Sequence, residues 1–222
     1  MKVFDQFPDR FKRLPVLTPP VDIPDIMHRL LWIALDENPD LGQSSEFHLR
    51  QISEDEFNGT PMAVGAAGRE YEPSVHVVID YDVDYLSRLS TDEIDEALRH
   101  ELSHVKNGDC GPYLTPHIRN ARRKFCSGKI TWADYNYVLK TESTTASRHT
   151  NKCAEKMDEL LADVTLSKNP AAIIPLFKKV RGMIGLRGEL ALLLTRDHPT
   201  MTARIHNLQR FQKRRQLKTP TR

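Results

Sequence analysis

The pentapeptide from His100 to His104 has the residue types and the spacing of a metal site. Residues four apart lie on one face of an α-helix, so the two imidazoles can reach the same metal ion. Glu101 stands next to the first of them, where its carboxylate can take a proton from a water that the metal activates. The pattern His-Glu-x-x-His therefore predicts a metal centre with His100 and His104 as ligands and Glu101 as a base.

A third ligand must come from elsewhere, because a catalytic zinc ion usually takes three protein ligands and leaves one position open. Metzincins place a His six residues after the second His, but here that position holds Cys110. A thiolate from Cys110 remains an alternative ligand, although it is an unusual one for a protease. Asp109 is better interpreted as an acceptor for a ligating side chain or as a helix-end residue.

Two carboxylates four residues apart, Glu159 and Asp163, fall on the polar side of a later predicted helix. Glu159 can bind the metal, and Asp163 can accept the N–H of a ligating imidazole and fix its tautomer. The alternative is a solvated acidic stripe, which is the common position of carboxylates at this spacing. The apolar side of the same helix is predicted to consist of Cys153, Met157, Leu160, Leu161 and Val164.

Apolar periodicity and capping residues predict the elements that position these side chains. Ser90 and Glu93 form a capping box that opens the helix bearing the pentapeptide. The buried stripe of that helix is predicted to be Ile94, Leu98, Leu102 and Val105. We predict helices over 23–36, 90–107, 151–167, 171–195 and 199–216, and strands over 47–52, 62–65 and 75–79. Residues 110–150 are predicted to be rich in loops, with one short helix.

This order of elements predicts an α+β fold, mostly helical, with a small β-sheet over the metal-binding helix. Residues 1–22 are interpreted as an extended arm, residues 23–210 as the domain and residues 211–222 as a basic tail. The tail suggests nucleic-acid binding only weakly, since it has no interleaved aromatic residue beyond Phe211 and no recognisable fold signature.

The composition of the 222-residue chain, 39% hydrophobic and 28% charged, is that of an ordinary soluble globular protein. Three cysteines without a paired motif indicate a reducing compartment. The N-terminus has no secretory signal pattern, and no apolar run approaches the length of a membrane span. We therefore expect a cytoplasmic protein.

The segments around the candidate ligands resemble the gluzincin zinc metallopeptidases of the HtpX and CAAX-prenyl-protease type. Residues 98–109 are similar to the active helix of that family, including the Asp five residues after the second His. Residues 159–163 resemble its third-ligand motif, Glu-x-x-Ala-Asp. His198-Pro199, followed by Arg204-Ile205, is similar to its H-P-x-x-x-x-R-I segment. The resemblance covers roughly residues 25–210 and lacks the transmembrane helices of the membrane-bound members.

The resemblance implies a zincin-like domain in which Zn²⁺ is held by His100, His104 and Glu159. It implies a metalloendopeptidase that hydrolyses peptide bonds of a protein substrate, with Glu101 as the general base.

The same resemblance implies two further roles near the end of the domain. His198 would donate to the developing oxyanion, and Arg204 would orient a carboxylate of the site. The substrate would add in extended form to an edge strand at Ala63, Val64 and Gly65. In the family this strand carries the motif N-A-F-A-x-G, and this chain departs from the first part of that motif at Pro61 and Met62.

A competing hypothesis is a catalytically silent peptide-binding or scaffold protein on a metallopeptidase fold, because a fold does not by itself establish activity. The presence of Glu101 argues against this hypothesis, since a structural metal site needs no base.

Overall fold

The structure, a computed structural model, describes residues 14–42, 45–52, 62–67, 75–107, 116–149, 152–195 and 199–218. The helices, in chain order, are α1 (Ile23–Glu37), α2 (Pro39–Gly42), α3 (Val83–Leu86), α4 (Thr91–Asn107), α5 (Pro116–Cys126), α6 (Trp132–His149), α7 (Lys152–Thr165), α8 (Pro170–Thr195) and α9 (Met201–Lys218). The strands are β1 (Ser45–Gln51), β2 (Met62–Ala67) and β3 (Val75–Tyr81). The predicted α+β class, mostly helical with a small sheet, is confirmed.

The three strands form one mixed sheet in the order β1-β3-β2. β3 lies in the centre, parallel to β1 and antiparallel to β2. Alternation along β3 buries Val77, Ile79 and Tyr81 against the core, while the opposite face of the sheet is turned to solvent. β2 contacts α4, so the sheet and the helix with the pentapeptide share one core.

Helix α4 begins at the predicted capping box. The Ser90 backbone N–H donates to the Glu93 carboxylate at 2.9 Å, and the Glu93 N–H donates to the Ser90 hydroxyl at 3.3 Å. The predicted apolar stripe is fully buried, which fixes the rotation of the helix about its axis. Its members are Ile94, Leu98, Leu102 and Val105. The two histidines of the pentapeptide are thereby held beside the core.

The prediction that residues 110–150 are mostly loop is wrong for the described part of that segment. α5 and α6 form a helical hairpin whose own small core contains Ile118, Ala121 and Tyr135. The Phe125 and Tyr135 rings stack across it at 5.2 Å between centroids. Neither helix carries a long apolar stripe by itself. Their apolar residues are buried between the two helices of the hairpin.

Two later helices complete the frame around the metal-binding helix. α7 packs against α4, and the Leu166 N–H donates to the Ser103 hydroxyl at 3.2 Å just after α7 ends. α8 is broken at Gly185, whose φ of 61° and ψ of −171° favour glycine. α9 continues to Lys218, so the predicted domain boundary at residue 210 falls inside a helix.

Within the described ranges, no helix combines the length and the apolarity that crossing a membrane requires.

Candidate metal centre

The two histidines of α4 place their Nε2 atoms side by side. His100 and His104 are one helical turn apart, and their rings meet edge to face with centroids 4.7 Å apart. The two Nε2 atoms are 3.1 Å apart. Both side chains are largely removed from solvent, so a cation between these nitrogens would be bound in a sheltered position.

Glu159 of α7 brings its carboxylate to the same point. Its Oε2 lies 3.4 Å from His100 Nε2, and its Oε1 lies 3.6 Å from His104 Nε2. In a tetrahedral zinc site with bonds of about 2.0–2.1 Å, neighbouring ligand atoms are about 3.4 Å apart. The two nitrogens are 3.1 Å apart and each has one Glu159 oxygen at 3.4 or 3.6 Å, so the three side chains are close enough to bind one zinc ion.

Asp163, one turn after Glu159 on α7, holds the far side of the first imidazole. His100 Nδ1 lies 3.1 Å from Asp163 Oδ1, and the Asp163 side chain is fully buried. This contact holds an N–H on Nδ1, so Nε2 is the nitrogen available to a metal ion that displaces its proton. The carboxylate is accordingly in the position of a group that orients a ligand.

Arg204 of α9 in turn holds Asp163. Its Nε donates to Asp163 Oδ2 at 3.0 Å, and its Nη1 lies 3.4 Å from Glu159 Oε2. The guanidinium carbon lies 4.2 Å above the centre of the Phe177 ring, which supports it by a cation–π contact. One cation thus contacts both Glu159 and Asp163 of α7.

Burial and the charge of Arg204 disfavour a proton on the first imidazole. Hydrogen bonds to Asp163 and Glu159 outweigh both effects and raise the pKa of His100 to about 9. Burial would also raise the pKa of Asp163, but Arg204 and His100 hold that pKa below its ordinary value. The acidic side chains around His100 therefore favour a positive charge at this point, and a zinc ion binding there would displace the proton.

Glu101 lies on α4 in the electrostatic field of the same groups. Burial raises the pKa of the Glu101 carboxyl, although the two neighbouring imidazoles oppose the shift. A carboxylate with a raised pKa is a better proton acceptor near neutral pH. Its environment therefore suits a general base.

Two features of this region differ from the sequence interpretation or were missed by it. Leu161, predicted on the apolar face of α7, is half exposed, whereas Asp163 on the predicted polar face is buried. α7 is thus rotated so that Asp163 points inward, where Arg204 and His100 contact it. Glu189 was not predicted. Its carboxylate accepts from the Met201 N–H at 3.0 Å and so caps the helix that carries Arg204.

The structure brings together six of the predicted site residues, and α4, α7 and α9 supply them. They are His100, Glu101, His104, Glu159, Asp163 and Arg204. Ala63, Val64 and Gly65 lie in β2, and Asp109, Cys110 and His198 lie outside the described residues.

Comparisons with protein-family models, with curated proteins and with solved structures find no match to this chain.

Proposed function

We propose that this protein is a zinc-dependent endopeptidase. The observation that carries the proposal is the convergence of two imidazole nitrogens and one carboxylate at the spacing of a metal site, next to a partly buried carboxyl that is not needed as a ligand. Zinc bound there would lower the pKa of a water and polarise the scissile carbonyl. The fourth position is left for water or substrate.

In this proposal Glu101 accepts the proton of the attacking water and later passes it to the leaving amine. The raised pKa of its carboxyl supports both transfers, because the group holds the proton well enough to deliver it. Asp163 and Arg204 keep His100 in the orientation that presents Nε2. These two residues act through the ligands and not on the substrate.

The edge strand β2 is the proposed docking point for an extended substrate. Within the described strands β2 pairs with β3 alone, so its other edge is available for a further strand. The strand also contacts α4, which carries the candidate catalytic residues. A peptide added along Ala63, Val64 and Gly65 would form main-chain hydrogen bonds to the strand. Such bonds recognise the extended backbone of a substrate more than its side chains.

Reversible metal dependence tests the proposal directly. The purified chain, loaded with zinc, should cleave members of a peptide library, and mass spectrometry would locate the cut bonds. A chelator should abolish cleavage and added Zn²⁺ should restore it, whereas Mg²⁺ should not, because the donor set is nitrogen-rich. Cleavage that survives complete zinc removal would contradict the proposal, and so would a zinc-loaded chain that cuts nothing.

His198→Ala should reduce turnover by roughly tenfold to a thousandfold, the loss expected for one oxyanion donor. Zinc content should stay unchanged, because three better ligands are already in place. The measurement is kcat together with metal stoichiometry on one preparation, with His206→Ala, an exposed histidine of α9, as the matched control. Normal kinetics in the His198 variant would make it a surface residue at a helix start, and loss of zinc would mean that the ligand set is misassigned.

A further inference from the structure

The solvent face of the sheet carries a second convergence of ligand atoms, remote in the fold from α7 and α9. Glu46 and His48 project from β1, and His76 projects from β3. The parallel register pairs Glu46 with His76, and His48 follows two residues later on the same face. All three side chains are accessible to ions from solution, since each is about half exposed.

The two imidazole nitrogens and the two carboxylate oxygens of this group lie close together. His48 Nε2 lies 3.4 Å from His76 Nδ1 and 3.5 Å from Glu46 Oε1, and His76 Nδ1 lies 3.4 Å from Glu46 Oε2. These separations match the edge of about 3.4 Å expected for a tetrahedral zinc site. The two imidazole rings stack with their centroids 5.6 Å apart and their planes 23° apart.

We infer that Glu46, His48 and His76 form a second binding site for a divalent transition-metal ion of the zinc type. A proton can be shared by only two of the three side chains at once, whereas one metal ion can bind all three. Two imidazoles and one carboxylate suit zinc and its neighbours, while Ca²⁺ and Mg²⁺ prefer oxygen ligands. The site therefore selects by ligand type for the same class of ion as the candidate centre on α4.

Among the residues that the structure describes, the next pair along the same face does not add a ligand. Arg50 and Asp80 are register partners, and the guanidinium holds the Asp80 carboxylate by two bonds of 2.7 and 2.8 Å. Asp80 is therefore engaged and does not supply a fourth ligand. An ion at this site would keep an open position toward solvent and would join the edge strand β1 to the central strand β3.

A bound ion should stabilise the sheet, because it binds the folded arrangement of β1 and β3 and not the unfolded chain. The inference does not depend on peptidase activity. It requires only that the two strands keep the parallel register, which also aligns seven residue pairs of the backbone. The melting temperature of the metal-free chain should accordingly rise with zinc concentration even when the centre on α4 has been disabled.

The test is a zinc titration of the full-length, metal-free chain by calorimetry. The wild type should bind two zinc ions, H48Q/H76Q one, and the control H28Q, at an exposed histidine of α1, two. In H104A the remaining ion should still raise the melting temperature, and this rise should vanish in H104A/H48Q/H76Q. Unchanged stoichiometry and affinity in H48Q/H76Q would overturn the inference.

A measurement on the wild type makes the test independent of how the variants fold. Zinc should shift the imidazole ¹⁵N signals of His48 at Nε2 and of His76 at Nδ1, the two atoms that face each other. Signals that stay in place at saturating zinc would overturn the site. A chain that binds only one ion, lost in H104A and retained in H48Q/H76Q, would also overturn it while leaving the proposed peptidase centre intact.

Discussion

Glu101→Gln should lower peptide hydrolysis by roughly a hundredfold to ten-thousandfold, the usual contribution of a positioned general base. The amide has nearly the same shape as the carboxyl, so the packing of α4 beside the core is kept. The amide of Gln cannot accept the proton of the attacking water. Zinc should remain bound, because Glu101 is not among the three groups at tetrahedral spacing.

The measurement is the rate of cleavage of a single identified peptide, beside zinc analysis of the same sample. Asp92→Asn is the matched control, since Asp92 is an exposed acid in the first turn of the same helix. The control should keep both activity and zinc. Wild-type rates in the Glu101 variant would mean that another group is the base, and loss of zinc would mean that Glu101 is a ligand.

The helix with the pentapeptide could be predicted from sequence because its determinants are local. Ser90 and Glu93 lie within one turn, and the apolar stripe repeats within the helix itself. A capping box of the same kind, Thr131 with Asp134, opens α6 and was overlooked. Together with Gly128 in a left-handed conformation between the two helices, it is the signal that could have found the hairpin.

The rotation of α7 could not be predicted from its own residues. Glu159 and Asp163 at a spacing of four fit a solvated stripe as well as a buried one. Arg204, more than forty residues later, decides between these alternatives by supplying the charge that allows Asp163 to be buried. Only the resemblance to a family motif connected the two segments in the sequence.

The group on the sheet escaped prediction for a related reason. Both strands were predicted, and His48 and His76 stood inside them, but the sequence does not specify their register. A shift of one residue would turn one histidine to the opposite face of the sheet. The parallel pairing of β1 with β3 is therefore what brings these ligand atoms together.

Glu159→Gln should weaken zinc binding by more than about a hundredfold, because loss of a ligand should exceed the tenfold to hundredfold typical of groups around the ligands. Hydrolysis should be lost in proportion. The fold should persist, since Asp163 keeps its bonds to Arg204 and His100 when Glu159 is neutralised. Circular dichroism and a melting curve would verify this before zinc is measured.

Two further variants test whether the loss of zinc is specific to Glu159. Glu155→Gln, one turn earlier on α7, should retain zinc, because Glu155 is not a predicted ligand. Cys110→Ser should also retain zinc if the third ligand is Glu159. The reverse pattern, with zinc kept in the Glu159 variant and lost in the Cys110 variant, would mean that the thiolate of Cys110 is the third ligand.

The measurements must count zinc in the centre separately from zinc on the sheet, so each variant is combined with H48Q/H76Q. Under that condition the affinity for the one remaining ion should fall in the Glu159 variant alone.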